Sequence, residues 1–367
     1  MILLVTGGAG FIGSNFIRLV LKKRSTWKII NLDKLTYSGN LENLRDIKER
    51  EGGKSYFFVE GDICDATLIE ALFSGEHPIF HHHRNLKSAE SLKCPIRAVI
   101  HFAAESHVDR SIQDSSPFYR TNVEGTRVLV EAARRHWRIE RPGSTKNSFR
   151  FVHVSTDEVY GSLEPHHLPF KEESPVKPNS PYAASKAAAD FTVLAYFHTY
   201  GLPAIITRCG NNYGPYQHPE KFIPLFITNV LENSSLPLYG DGLQVRDWIY
   251  VVDHCRALLL ILEHGKAGEV YNIGACEEHT NLQVAELIVQ RMGKDRDLIR
   301  SVTDRSGHDR RYALDTTKIQ SLGWKAEQPF VHGLESTIQW YRGHSSWWKR
   351  LKNEEFWRYY KQFYGSI

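Results

Sequence analysis

No stretch of this chain stays apolar for the roughly 20 residues that a membrane-crossing helix needs, so a helical membrane anchor is excluded. The opening Met1-Ile2-Leu3-Leu4-Val5 lacks a basic leader and runs straight into glycines, so it reads as a first strand and not as a secretory signal. The five cysteines, Cys64, Cys94, Cys209, Cys255 and Cys276, are odd in number, widely spaced and free of any C-x-x-C pair. That usage predicts buried thiols in a reduced, cytoplasmic protein. There is no basic tail: pieces such as Arg134-Arg135-His136 and Asp309-Arg310-Arg311 are scattered among acids, and the net charge is only +4. Nucleic acid is therefore not a predicted partner, while a small anionic substrate suits the balance. Internal repeats and low-complexity tracts are also missing.

What remains is an ordinary globular composition over 367 residues, enough for one large or two modest domains. Short apolar runs predict strands at 2–6, 28–32, 56–59, 98–102, 149–155 and 204–209, alternating with predicted helices at 13–23, 117–136 and 181–199. This alternation predicts an α/β fold, a Rossmann-type doubly wound parallel sheet covered on both faces. Beyond about residue 215, prolines and glycines loosen the pattern, and a shorter helix is predicted over 282–292. The expected division is a dinucleotide-binding domain over 1–210 and a smaller C-terminal substrate-binding lobe over 211–367, some segments of which return to the first domain. Residues 75–97 read as a surface insertion, and 139–148 as a polar loop.

Gly7-Gly8-Ala9-Gly10-Phe11-Ile12-Gly13 follows the first strand and opens a helix. Glycines at that spacing allow a tight turn, with a pyrophosphate brought against a helix N-terminus. Asp33 stands twenty residues further on, at the end of the second strand, where a carboxylate binds ribose hydroxyls and repels a 2′-phosphate. NAD is therefore favoured over NADP, although the adjacent Lys34 weakens that preference. Asp62 and Ile63, after the third strand, are placed either to touch adenine or to form an ordinary turn.

Val154 to Lys186 carries the chemistry. An apolar strand delivers Thr156, Asp157 and Glu158 at its end, and Tyr182 and Lys186 follow four apart on a helix. A tyrosine hydroxyl, with a pKa ordinarily near 10, needs a neighbouring cation to take a proton at neutral pH, and Lys186 lies on the same helical face. With the positive nicotinamide ring added, the expectation is a lowered Tyr182 pKa. Adjacent carboxylates are commonly a solvated turn, but beside a nicotinamide they can divide acid and base duties. Oxidation at a sugar C4 acidifies the C5 proton, so one carboxylate can remove it while the other, protonated, releases the C6 hydroxyl. Simple oxidoreductases need no such second pair. His81-His82-His83 does not read as a metal site: adjacent histidines on an extended chain point to alternate faces, and no carboxylate or cysteine lies at ligand spacing.

These blocks, with Asp33-Lys34-Leu35-Thr36-Tyr37, Ala103 to Ser111, Ser155 to Gly161, Asn211 to Pro215 and Arg246-Asp247-Trp248, resemble the extended short-chain dehydrogenase/reductases. Within that group the resemblance is to the nucleotide-sugar 4,6-dehydratases, most closely those acting on dTDP-glucose, and it covers residues 1 to about 340. It implies a hydro-lyase with retained NAD that converts dTDP-glucose to dTDP-4-keto-6-deoxyglucose and water, and it implies a homodimer joined through the helices at 117–136 and 181–199. It further implies that Asp157 is the acid at C6, Glu158 the base at C5 and Tyr182 the base at the 4-hydroxyl, with Lys186 supporting it and Thr156 bonded to the 4-oxygen. NAD would be lined by Gly7, Gly10, Phe11, Ile12, Gly13, Asp33, Lys34, Leu35, Thr36, Asp62, Ile63, Phe102, Ala103, Ala104, Ser106, Thr121 and Asn212, together with Tyr182 and Lys186. The sugar nucleotide would be held by Ser106, Thr156, Asn211, Lys221, Phe222, Pro237, Leu238, Tyr239, Arg246, Asn281, Asp304, Arg305 and His308. Gly210 stands where the family pattern has serine, which predicts a looser loop there. UDP-glucose as substrate, a 4-epimerase or a UDP-glucuronate decarboxylase on the same fold, and a silent NAD-binding protein are the competing readings. The C-terminal aromatics (Trp340, Tyr341, Trp347, Trp348, Trp357, Tyr359, Tyr360) read as a packing tail.

Overall fold

The computed structural model describes residues 1–83, 86, 94–139 and 149–365. Twelve strands are found among them: β1 (Ile2–Thr6), β2 (Lys28–Asp33), β3 (Tyr56–Glu60), β4 (Ile96–His101), β5 (Arg150–Thr156), β6 (Ala204–Cys209), β7 (Asn211–Tyr213), β8 (Leu236–Tyr239), β9 (Val245–Tyr250), β10 (Val270–Ile273), β11 (Glu278–Thr280) and β12 (Ile299–Val302). Seven form one sheet in the order β10-β6-β5-β4-β1-β2-β3, parallel throughout. Successive residues of a strand point to opposite faces, and here both faces are apolar. Leu4 of β1 belongs to one core layer with Ile30, Val99 and Phe151, whereas Leu3 and Val5 belong to the other with Phe16, Ile100 and Val152. The strand order reverses between β1 and β4, so their carboxyl ends flank the crevice where such sheets bind ligands.

The second half of the chain is not separate from this sheet. Helix Val251–His264 packs its Cys255 and Leu258 into the layer that holds Phe16 and Val20, and β10 then extends the sheet edge beside β6. The remainder builds a lobe from β11-β9-β7, from the pair β8-β12, and from helices whose apolar faces meet around Phe226, Trp248, Ile288 and Leu334. Tyr341, Trp348 and Tyr360 of the aromatic tail are buried in that core, but Trp357 is exposed.

Several expectations need correcting. The described part of the 75–97 segment is not simply a surface insertion: Ile79, Phe80, Leu86 and Cys94 are buried in the main core, and Pro78–His82 is a short helix. His81 and His82 are thus helical, not extended; residues 84, 85 and 87–93 lie outside the described set. Ile139 is buried, and 140–148 are likewise outside that set. Cys94, Cys209 and Cys255 are buried, but Cys276 is exposed and Cys64 half-buried. The predicted helix at 117–136 is interrupted: a turn at Ser116–Phe118 passes into a π-helical stretch, Tyr119–Gly125, before the α-helix Thr126–His136. Gly210 does not loosen its loop. A Cβ there would lie 2.8 Å from the Asp247 carbonyl oxygen, and its N–H donates to the Ile273 carbonyl at 3.0 Å, so glycine lets the β7–β9 sheet approach closely.

Candidate active site

β1 ends at Thr6 and the chain turns at Gly7, whose φ of +72° favours glycine and whose Cβ would meet Ala103 N at 2.6 Å. At Gly13 a Cβ would stand 2.4 Å from the Gly7 carbonyl oxygen. Gly10 caps helix Phe11–Lys23 with no side-chain hydrogen bond, which leaves first-turn amides open to an anion. At the end of β2, Asp33 accepts from Ala9 N and Leu35 N, both at 2.9 Å, and burial raises its pKa. Each carboxylate oxygen keeps a second lone pair for a ribose hydroxyl. Lys34, beside it, is engaged: its ammonium lies 2.8 Å from Asp62, which also accepts from Cys64 N. The cradle therefore fits a dinucleotide with a free 2′-hydroxyl, and a cavity of about 320 Å³ runs from it across the carboxyl ends of the strands.

β5 delivers the chemical group at the far end of that cavity. Thr156 is the N-cap of a 3₁₀ turn, Asp157–Tyr160; its Oγ1 accepts from Glu158 N at 3.2 Å and donates to Asp157 Oδ1 at 3.3 Å. Asp157 Oδ2 is buried without a hydrogen bond in the protein, free to face a substrate hydroxyl. Burial, and then the Glu158 charge, push the Asp157 carboxyl well above its ordinary pKa. Burial also raises Glu158, but Arg305, Arg246 and Lys221 pull it back. The two adjacent carboxyls are therefore pushed unequally, Asp157 the more strongly, a bias that suits Asp157 to an acid's role and Glu158 to a base's.

Helix Pro181–Tyr200 starts at Ser180, which accepts from Ala183 N, with Pro181 in the first turn, where its missing N–H costs nothing. Tyr182 and Lys186 share its buried face, and the Lys186 ammonium donates to the Val154 carbonyl at 2.8 Å. The expected lowering of Tyr182 is not found in the protein alone: burial, and then Glu158, push the phenol well above its ordinary value. Burial brings Lys186 down to about 8, with Asp190 opposing.

The 320 Å³ cavity brings together Gly7, Gly10, Phe11, Ile12, Gly13, Asp33, Lys34, Thr36, Ile63, Phe102, Ala103, Ala104, Ser106, Thr121, Thr156, Asp157, Glu158, Tyr182, Lys186 and Asn212. A second cavity of about 170 Å³ continues it into the lobe and shares Ser106, Glu158, Asn211 and Lys221. Phe222, Pro237, Tyr239, Arg246, Asn281, Arg305 and His308 line this second space. Four expected residues line neither. Leu35 and Asp62 instead hold the Asp33 loop and Lys34; Leu238 is buried in the lobe core, and Asp304 binds His308 Nδ1 at 2.6 Å and Gln244 at 3.0 Å. The sequence reading missed Gln217 and Glu220, which line the first cavity, and Asp109, Trp248 and Tyr364, which line the second. Asp109 lies inside the Ala103–Ser111 block and was within reach; Tyr364 has no local signal.

A fully parallel seven-stranded sheet, a glycine cradle and a Thr-Asp-Glu turn facing a Tyr–Lys helix define a short-chain dehydrogenase/reductase built for more than hydride transfer. The chain belongs to the GDP-mannose 4,6 dehydratase family, whose family model matches residues 4–337. It is 49% identical over 360 residues to the dTDP-glucose 4,6-dehydratase of Streptomyces niveus, covering 97% of each chain. Among solved structures it resembles the Bacillus anthracis dTDP-glucose 4,6-dehydratase in complex with NAD, with TM-score 0.82 and 46% identity over 96% of this chain and 100% of that one. The NAD-bound dTDP-glucose 4,6-dehydratase of Streptomyces venezuelae gives TM-score 0.84, with the same identity and coverage.

Proposed function

We propose that this chain is an NAD-dependent hydro-lyase that converts dTDP-glucose to dTDP-4-keto-6-deoxyglucose and water. The observation that carries this reading is the adjacent carboxyl pair, Asp157 and Glu158, beside Tyr182 and Lys186 at the junction of two cavities. The Gly7–Gly13 cradle and Asp33 hold the dinucleotide. NAD, when bound, supplies a positively charged nicotinamide that lowers the Tyr182 phenol, accepts a hydride from C4 and returns it to C6. Tyr182 takes the proton of the 4-hydroxyl while Thr156 bonds the 4-oxygen. Glu158 then removes the acidified C5 proton, and Asp157 gives its proton to the departing C6 hydroxyl, which leaves as water. Glu158 returns its proton to C5, and the cycle closes when Tyr182 gives up the proton taken from the 4-hydroxyl and Asp157 regains one, by exchange with solvent. An epimerase needs no acid and base at C6 and C5, so the pair favours dehydration.

The lobe cavity suits a sugar diphosphate: Arg246 and Arg305 line it, and Arg305 Nε is buried with no hydrogen bond in the protein. The enzyme works as a cytoplasmic homodimer in this reading. Its five cysteines form no disulfide, as suits a reduced compartment. Phe191 and Tyr119 expose apolar surface within the two segments expected to pair, and Ile112 does so on the neighbouring helix Val108–Gln113, which packs against Pro181–Tyr200. The test is incubation of the purified protein, with no added cofactor, with dTDP-glucose, UDP-glucose and GDP-mannose separately. Loss of one water from the dTDP sugar alone is the expected mass change. Equal loss from another sugar moves the nucleotide assignment, and no loss from any, even with NAD supplied, overturns the dehydratase reading.

A further inference from the structure

The lobe cavity has a wall that neither the chemistry above nor the residue patterns account for. Asp109 is buried, 2% exposed, on the short helix Val108–Gln113, yet it lines that cavity. Three donors converge on its carboxylate: Arg305 Nη1 at 3.1 Å on Oδ1, and on Oδ2 the Tyr359 hydroxyl at 2.9 Å and the Tyr239 hydroxyl at 3.3 Å. Arg305 and Tyr239 themselves line the cavity. Tyr359 comes from the C-terminal helix Glu354–Tyr364, whose last residue, Tyr364, also lines it and packs on Tyr239 with ring centroids 5.3 Å apart. A second tie runs from the same helix. Arg110 reaches Glu355 at 3.0 Å and Glu220 at 3.3 Å, and Glu220 lines both cavities.

A helix needed only for packing would be satisfied by Phe356 and Tyr360, which are buried in the lobe core. The same buried face also carries Tyr359, whose phenol reaches a buried carboxylate with substrate-facing partners besides. A guanidinium clamped by a carboxylate is fixed in direction, and its remaining donors are pre-aimed at a diphosphate without loss of rotamer freedom on binding.

We propose that the C-terminal helix is the closing wall of the sugar-nucleotide site and that Asp109 is a positioning residue through which it acts, holding Arg305 and Tyr239 toward the diphosphate. This rests on the nucleotide-sugar reading of the lobe cavity. The ligand it serves is the nucleoside diphosphate moiety rather than the reacting pyranose carbons, so binding and chemistry separate. Tyr359→Phe deletes one hydroxyl, with its bonds to Asp109 and to His107 Nε2 at 3.2 Å, and leaves the ring packing on His107 in place.

The test uses the NAD-loaded protein and titrates dTDP alone by calorimetry, alongside kinetics with dTDP-glucose. Losing a hydrogen bond to a charged group is expected to weaken dTDP about tenfold in Tyr359→Phe, with KM for dTDP-glucose rising in parallel and kcat within about twofold. Asp109→Asn should weaken dTDP further. Should Asp109→Asn fail to fold, Tyr359→Phe decides alone. Unchanged dTDP affinity in a folded Tyr359→Phe overturns the proposal, because a merely structural helix would leave it untouched. If the wild type retains NAD yet binds no dTDP, the nucleotide reading of the cavity itself falls, and this proposal falls with it.

Discussion

At the residue scale, burial and a few cations push the adjacent Asp157 and Glu158 carboxyls unequally, as an acid–base pair requires. Their presence was legible in the sequence and the family resemblance assigned acid and base, but the physical bias was not, because Arg305 and Lys221, which act on Glu158, come from far along the chain. At Tyr182 the lowering was expected with the nicotinamide charge added to Lys186; helical spacing carries no information on desolvation or on Glu158, which raise the phenol in the protein alone. Lys186 must be charged to support the tyrosine, and burial leaves it at about 8. A group pushed down in the folded protein loses its proton as pH rises through that value, so kcat/KM should fall above about pH 8. In Lys186→Arg, a guanidinium stays charged, and the alkaline limb should move up or disappear at a lower overall rate. A pH profile from 6 to 10 on both proteins checks this; an identical limb in the variant would remove Lys186 as its source.

At the element scale, the strands and helices nearest the glycine motif were legible because each is a long apolar run with clear ends, as in Ile2–Thr6 and Pro181–Tyr200. β10 was not: it is four residues long and joins the sheet only through tertiary pairing with β6. Nor does periodicity reveal the π-helical stretch Tyr119–Gly125, which would read as ordinary helix. That stretch has a use in the site. It places Thr121 on the dinucleotide cavity and Asn122 beneath the Glu105 loop, with Asn122 accepting from Glu105 N at 2.8 Å and donating to the Glu105 carbonyl at 3.1 Å and to Ser185 Oγ at 2.8 Å. Asn122→Ala leaves these buried groups unpaired, at a cost of about 1–3 kcal/mol, and frees the loop beside the cofactor. Its thermal midpoint should drop, and NAD should be lost on dialysis under conditions where the wild type keeps it. Retention equal to wild type would show that the π stretch serves packing alone.

At the scale of the whole molecule, one sheet fixes the cofactor cradle and a lobe grown from its edge supplies cations, so the reacting group sits where the two cavities join. The class and the cradle were legible from local motifs; in the lobe cavity Arg246 and Arg305 were named through the family resemblance, whereas Asp109 and Tyr364, which reach it from far apart in the chain, were not. The exposed Phe191, Ile112 and Tyr119 belong to this scale too. On the proposed pairing, the wild type is a dimer in light scattering and Phe191→Asp, at a position 55% exposed, should leave the fold intact and give a monomer; a monomeric wild type would overturn the pairing, and a variant that stays dimeric would place the interface elsewhere. The account as a whole turns on Glu158 as the base of an elimination. Its most direct test is product mass from dTDP-glucose with wild type and Glu158→Gln, each first checked for bound NAD. The prediction is a product lighter by one water from the wild type, and turnover lower by a factor of about 10²–10⁴ in a variant that still holds NAD. Near-normal turnover in Glu158→Gln would contradict it.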